Sequence, residues 1–315
     1  MLTGLDNQTV SRNRTRWWRA ATVFGLLGAL ALAGCARNTE NGSGPGADGA
    51  PLSIAVTAPK VDSIAATVPA DIRDSGRLVV GVNLPYPPNE FKDSEGKIVG
   101  FDVDLMDAVA GTLGLTAEYR ESDFAKIIPA IDGGTFNVGM SSFTDTRERE
   151  KQVDFVTYFS AGSLWAQRPG KAIDPSDACG LKVAVQATTI QETEELPAKS
   201  KACVDAGQPE IQIVKFDGQD AATNAVVLGQ VDAMSADSPV TAYAIKQSDG
   251  KLEGAGEIFD SAPYGWPVKK GSPLAQSLLE ALEHLISTGD YKTIATNWGV
   301  ESGMIDKPVI NGAVS

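Results

Sequence analysis

The chain has one histidine, His284, and only three cysteines, Cys35, Cys179 and Cys203, among 315 residues. That supply excludes the usual zinc sites. Two thiols do not complete a tetrahedral ligand set, and His284 is remote from them in sequence. His284 sits between Glu283 and Leu285, off the Leu278/Leu282/Leu285 line of a helix, and reads as solvent-facing. Positive charge is scarce as well. The whole chain carries a net −13; beyond residue 34, where Arg12, Arg14, Arg16, Arg19 and Asp6 drop out, 23 Lys+Arg face 39 Asp+Glu, a net of −16. No Lys/Arg run remains there, so a nucleic-acid surface is excluded, because phosphate contacts need clustered cations. Nothing in the sequence calls for a cofactor or a metal. What is present is ordinary: 43% hydrophobic and 21% charged residues, enough for one or two cores.

The N-terminus reads as an export signal. Four arginines precede an apolar run at residues 20–33, short of the roughly 20 residues that span a bilayer. The run ends in Leu32-Ala33-Gly34-Cys35, which resembles a bacterial lipobox. The resemblance implies a signal peptide at 1–34 and lipid on Cys35, with several acyl chains together giving stable anchoring to the cell membrane. Residues 38–51 are rich in Gly, Asn, Ser and Ala, a composition that behaves as a flexible tether, so 35–68 reads as tether and the folded body is expected from Pro69. With Cys35 lipidated, Cys179 and Cys203 remain as an even pair in an oxidising compartment, and a disulfide is expected.

The pattern from residue 76 is βαβαβ. Apolar residues 78–82 read as a buried strand, and 116–119 and 138–140 as two more. Between them, Val103, Met106, Ala110 and Leu113 form one helical stripe, with Asp102 expected as its cap and Phe101 as a staple on Met106. Phe124, Ile127, Ile128 and Ile131 form another. This order points to an open parallel sheet covered by helices. The pattern then recurs. Gly180-Leu181-Lys182-Val183 echoes Gly76-Arg77-Leu78-Val79, and Gly229-Gln230-Val231-Asp232 echoes Gly134-Thr135-Phe136-Asn137. Two such echoes suggest two α/β lobes. Ser142 stands eight residues after Gly134, and Asp237 eight after Gly229. Both fall at the carboxyl end of a strand, where open α/β sheets bind ligands.

The segment Ser141-Ser142-Phe143-Thr144-Asp145-Thr146-Arg147-Glu148-Arg149 carries the chemistry. Hydroxyls and backbone N–H groups at a helix start, followed by arginine, suit a small carboxylate. Arg147 and Arg149 lie about 200° apart around a helix and cannot both face one ligand. The charge pattern alone also fits a solvated run, 147–151.

Gly100-Phe101-Asp102-Val103-Asp104-Leu105, Ile127-Ile128-Pro129-Ala130-Ile131, Met140-Ser141-Ser142-Phe143-Thr144 with Arg149, and Asp232-Ala233-Met234-Ser235-Ala236-Asp237 resemble the polar amino-acid-binding proteins of ABC importers, solute-binding protein family 3, over about residues 70–305. The resemblance implies an α/β, two-lobed periplasmic-binding-protein fold of type II. Each lobe is an open βαβ sheet with helices on both faces, and two crossover strands join the lobes near 164–168 and 264–268. Lobe 1 would take 69–166 and a return segment, 264–310; lobe 2 would take 167–263; 311–315 would be a tail. Arg149 then grips the ligand α-carboxylate with Thr144 assisting. Ser142, with Ser141 beside it, and Asp237 accept from the α-ammonium. Tyr86 and Phe124 sandwich the side chain, and Thr188 and Thr189 complete the carboxylate site from lobe 2. Asn83 reads the polar end of the ligand.

Two departures from the family pattern carry weight. Asn83 stands where aspartate is frequent, which tilts the expected ligand towards glutamine, glutamate, asparagine or aspartate. Thr188 stands where glycine is common, which leaves the register of that turn open. Trp165 and Trp266 fit either a pocket wall or a hinge brace. The implied partners are one amino acid and a membrane permease with its ATPase, around a monomeric, non-enzymatic receptor. Two other readings share the fold: a cyclohexadienyl-dehydratase-like enzyme, for which Glu90 and Asp123 are the candidate carboxyls, and an amino-acid sensor.

Overall fold

A computed structural model of the chain describes residues 56–314. Cys35 and the first part of the tether lie outside the described residues. The strands are β1 (Arg77–Val82), β2 (Phe91–Lys92), β3 (Ile98–Val99), β4 (Thr116–Glu121), β5 (Val138–Gly139), β6 (Val153–Gln167), β7 (Lys182–Gln186), β8 (Gln212–Phe216), β9 (Ala233–Asp237) and β10 (Glu253–Lys269). Among the described residues, eight of them form one sheet in the order β4-β1-β5-β10-β6-β9-β7-β8, and β2 and β3 form a separate ribbon. In lobe 1, β1 lies parallel between β4 and β5; in lobe 2, β7 lies parallel between β8 and β9. The two long antiparallel strands β6 and β10 run through both lobes.

The first half of β6 and the last half of β10 serve lobe 1, where Val268 pairs with Val138. The last five residues of β6 already pair with β9, from Ser163 with Asp237 to Gln167 with Ala233. The first strand thus changes partners ahead of Ser163, upstream of the expected 164–168. Register shifts in β10 between Ala255 and Gly265 mark the bend of the second; such irregularities locally release the ladder and let a strand twist. Trp165 and Trp266 are fully buried on these strands. Trp266 stacks on Tyr158 at 4.6 Å between centroids, and Trp165 donates its indole N–H to Glu195 Oε1 at 2.7 Å. Both are braces in the core.

The helices Phe101–Thr112, Leu274–Thr288 and Asp290–Trp298 bury one face against β1, β6 and β10 in the largest core, so the chain returns to lobe 1 after β10. Each fully buried Leu or Ile there, such as Leu278, Leu282 and Ile294, contributes about 1.5–3 kcal/mol. The helix Phe124–Asp132 covers the opposite face of lobe 1. Lobe 2 has two smaller cores, one under the helix Leu196–Asp205 and one under Gln219–Val227. Among the described residues, no helix is long and apolar enough to cross a membrane.

Five expectations need correction. The body begins before Pro69: residues 62–65 are helical, Val61 N donates to Thr112 O, and Ala58, Ala65 and Val68 are buried. Apolar side chains among the small residues of that stretch reach the lobe 1 core. Asp102 does not cap its helix. Gly100 holds the cap position, at a φ of 143°, because a Cβ there would meet the Asn89 backbone. The helix after Thr146 is one turn, Arg147–Glu150, too short to supply a dipole to a ligand. His284 is half-buried rather than free in solvent. Residues 311–313 of the expected tail also pack: Asn311, Gly312 and Ala313 donate backbone N–H groups to Phe155 O, Asp145 Oδ2 and Glu150 Oε1.

Cys179 and Cys203 form a disulfide 24 residues apart, beside the core under Leu196–Asp205. Closing a loop of that length is worth about 3 kcal/mol in the chain-entropy account. Urea unfolding with and without reductant is expected to show that loss of stability in the lobe 2 signal.

Candidate ligand-binding cleft

The carboxyl ends of β1, β5, β7 and β9 meet between the lobes, and the residues that follow them line one narrow cavity. Its walls are Asn83, Tyr86, Phe124, Ser141, Ser142, Thr144 and Arg149 from lobe 1, and Gln186, Thr189, Ile190, Gln191 and Asp237 from lobe 2. Nine of the ten residues anticipated for the ligand site are thus brought together. The tenth, Thr188, offers its backbone instead of its side chain.

On the lobe 1 side, Ser141 Oγ accepts from Asn83 N at 3.1 Å and donates to Glu90 Oε1 at 3.0 Å. Ser142 takes a left-handed φ of 50°, which disfavours a non-glycine residue. Three bonds hold it there. Its N–H and Oγ reach Asp102 Oδ2 at 3.3 and 3.2 Å, and Asn89 Nδ2 donates to its Oγ at 2.8 Å. Asp102, expected as a helix cap, is the post to which the turn is tied.

Arg149 leaves the one-turn helix and folds back over the cleft. Nη1 donates to Thr144 O at 2.8 Å and Nη2 to Thr188 O at 2.9 Å. Its guanidinium lies 5.7 and 5.6 Å from the ring centroids of Phe124 and Phe143, which stack on each other at 4.3 Å. Burial lowers its pKa to about 10, partly offset by Asp237, Glu194 and Asp145. Two of five donors are used, and a fork pinned from both lobes is suited to a carboxylate. Arg147 is exposed.

Across the cleft, Asp237 ends β9. Tyr86 Oη donates to its Oδ2 at 2.7 Å, and Gln191 Nε2 to its Oδ1 at 2.9 Å. Burial raises its pKa, against the hydrogen bonds that stabilise the anion. Tyr86, expected as an aromatic wall, is buried and tethers the two lobes through its hydroxyl. Asn83 is engaged likewise. Its Nδ2 donates to Ser122 O at 3.0 Å, and its Oδ1 accepts from Gln186 Nε2 at 2.8 Å. Tyr86–Asp237, Asn83–Gln186 and Arg149–Thr188 therefore all bridge the lobes, and the cleft is closed.

The turn after β7 has a definite register. Thr188 sits at a left-handed φ of 64°, the geometry glycine would take, and its N–H donates to Glu192 Oε2. Thr189 lines the cavity and donates Oγ1 to Gln186 O at 2.8 Å. Gln186, Ile190 and Gln191 were not anticipated as lining residues. Gln186 ends β7, so the strand-end rule that selected Ser142 and Asp237 applies to it. Gln191 opens an irregular five-residue π turn, Gln191–Glu195, and no periodicity announces it. Of the two carboxyls considered for catalysis, Asp123 is two-thirds exposed and paired with Lys126; Glu90 is fully buried beneath Ser141. Among the described residues, no group of three or more His, Cys, Asp or Glu could hold a metal.

Comparison with known proteins agrees with this architecture. Residues 78–301 match bacterial extracellular solute-binding proteins, family 3. The chain is 40% identical over 294 residues to the arginine-binding protein ArgT of Corynebacterium glutamicum, covering 93% of this chain and 95% of that one. It is 29% identical over 282 residues to the ABC transporter glutamine-binding protein GlnH of Bacillus subtilis, covering 88% and 94%. Among solved structures, an ancestral arginine-binding protein bound to arginine is similar with a TM-score of 0.66 and 37% identity, over 71% of this chain and 98% of that one. With a two-lobed sheet, a cleft at the strand ends and a family match across both lobes, the chain belongs to the bacterial extracellular solute-binding proteins of family 3.

Proposed function

We propose that this protein is the extracytoplasmic receptor of an ABC importer, and that it captures one basic amino acid, arginine foremost, between its lobes. The observation that carries the reading is the opposition of Arg149 and Asp237 across a closed cleft, a cation for an α-carboxylate and an anion for an α-ammonium. Thr144 and Thr189 flank the carboxylate end, and Ser141 and Ser142 the ammonium end. Phe124, stacked on Phe143, forms an apolar wall for the ligand's methylenes. Residues from both lobes complete the site, so ligand favours the closed state and shifts the population towards it. Lipid on Cys35 would tether the monomeric receptor beside its permease.

Two considerations support arginine over the glutamine, glutamate, asparagine or aspartate read from Asn83. First, Asn83 spends both ends of its amide on Ser122 and Gln186, so its neutrality does not leave a free reader of the ligand. Second, the buried acids around the cavity, Asp237 and Asp102, outnumber the one guanidinium, and a ligand with a net positive charge compensates them better than a neutral or anionic one. The 40% identical relative is named for arginine. Glutamine is the second reading, since a relative named for it matches across 88% of the chain.

Titration calorimetry of the soluble body with arginine, lysine, glutamine and glutamate tests this. Arginine is expected to bind at least about tenfold tighter than glutamine, a difference of about 1.4 kcal/mol, and glutamate not measurably. A reversed order selects glutamine, and silence from every amino acid overturns the receptor reading.

A further inference from the structure

Two acids beneath the cleft are placed in a way that the ligand frame does not explain. Glu90 and Asp102 are both 0% exposed, lie beneath two consecutive serines, and are close enough for each to shift the other's titration. Glu90 Oε1 accepts from Ser141 Oγ. Asp102 Oδ2 accepts from Ser142 N, Ser142 Oγ and Tyr158 Oη, the last at 2.6 Å. The other two oxygens, Glu90 Oε2 and Asp102 Oδ1, are buried and have no other hydrogen-bond partner among the described residues. The titratable groups that face the pair are Tyr86 from the loop after β1, Tyr119 from β4, Tyr158 from β6, Tyr291 from the helix Asp290–Trp298, and Asp237 from β9. None of these is a cation. Two neighbouring buried carboxylates without a cation cannot both stay ionised in a dry interior. One proton between them removes a charge, and an O–H bridging the two orphan oxygens would satisfy both.

We propose that Glu90 carries a proton shared with Asp102, and that this acid–carboxylate pair is the positioning element that holds Ser141 and Ser142 in the geometry of the ligand site. Glu90 anchors the hydroxyl of Ser141, and Asp102 anchors the strained backbone of Ser142, so the shared proton fixes the two serines relative to each other. Burial pushes the Glu90 carboxyl well above its ordinary range, and pushes Asp102 up to about 6 against the bonds from Tyr158, Glu90 and Ser142. Asp102, whose Oδ2 accepts three hydrogen bonds, is the anion, and Glu90, which accepts one, is the protonated partner. As pH rises through the raised Glu90 value the proton leaves, two anions face each other, and the serines lose their register. Affinity is then expected to fall on the alkaline side. The ligand readout rests on the receptor reading above; the proton itself does not.

The test uses infrared spectroscopy and calorimetry on the folded protein. Without ligand at neutral pH, the wild type is expected to show a protonated-carboxyl band that fades as pH rises and is missing in Glu90→Gln. With arginine as probe, Glu90→Ala is expected to lose about tenfold in affinity, as when a buried charged acceptor is left without its bond. Glu90→Gln is expected to rescue it, because its amide donates to Asp102 and accepts from Ser141, and to flatten the alkaline decline. A wild type without the band overturns the shared proton. So does a Glu90→Gln variant as weak for arginine as Glu90→Ala, which would make Glu90 an ionised counter-charge. If wild type shows the band but binds no amino acid, the receptor reading fails and the proton stands.

Discussion

Arg149→Ala is expected to weaken amino-acid binding by about 2–5 kcal/mol, the range for removing one partner of a desolvated charge pair. That is roughly 30-fold to several thousandfold in Kd. The size follows from what the guanidinium holds. It is clamped by Thr144 O on one lobe and Thr188 O on the other, and it lies against the Phe124 and Phe143 rings. Truncation strands both carbonyls, removes a lobe–lobe bridge and leaves a ligand carboxylate without its cation. Arg149→Lys is expected to recover only part of the loss, because an ammonium cannot reach two carbonyls and fork onto a carboxylate together. Arg147→Ala, at an exposed position two residues away, is expected to leave Kd within about 0.5 kcal/mol of wild type. Calorimetry on the three variants checks the set. An Arg149→Ala variant with unchanged affinity for every amino acid removes this residue from the site.

The contrast between Arg149 and Arg147 shows how far sequence reaches. Helical spacing separates the two, and the Ser/Thr turn before them selects the segment, but the local structure differs from the helix envisaged. One turn forms, capped by Thr146, and what Arg149 presents to the cleft is its guanidinium fork and not a helix dipole. The repeat was more reliable. Gly134 and Gly229 both adopt a φ of 75°, the strands after them end at the cleft, and Ser142 and Asp237 follow at equal distance. Strand ends are legible because hydrophobic runs and turn glycines are local signals.

Other parts of the site depend on contacts across 39 to 151 residues of sequence, where no periodicity applies. Asp102 is an instance. An acid next to the start of a helical stripe reads as a cap, yet its partners are Ser142 and Tyr158. Asn83 is another. Its residue type is visible, but its amide is consumed by Ser122 and by Gln186 from the other lobe, so its neutrality does not support the expected glutamine, glutamate, asparagine or aspartate. Tyr86 shows the same limit, since a Pro-stiffened loop placed it at the cleft without revealing that its hydroxyl would reach Asp237.

Asp237→Ala is expected to cost about 3–5 kcal/mol of binding, the range for breaking a buried pair, and to do so by a route different from that of Arg149→Ala. The carboxylate accepts from Tyr86 of lobe 1 and from Gln191 of lobe 2, so its loss leaves the buried Tyr86 hydroxyl unpaired, leaves the Gln191 amide with Ser163 alone, and unties one lobe–lobe bridge. Asp237→Asn keeps the shape but not the charge. It isolates the attraction for an α-ammonium and is expected to fall between wild type and alanine. The pH dependence gives an independent check. Burial raises the Asp237 pKa, so in the free protein this group takes up a proton at a higher pH than an exposed aspartate near 3.9. Only the ionised form attracts an ammonium. Affinity is therefore expected to hold above the raised value and to fall by about tenfold per pH unit below it, until the ligand-bound value is passed. Asp237→Asn is expected to lose this acid limb while keeping any alkaline decline that arises at Glu90. A variant series in which the acid limb survives Asp237→Asn would place the titrating group elsewhere and remove Asp237 as the ammonium partner.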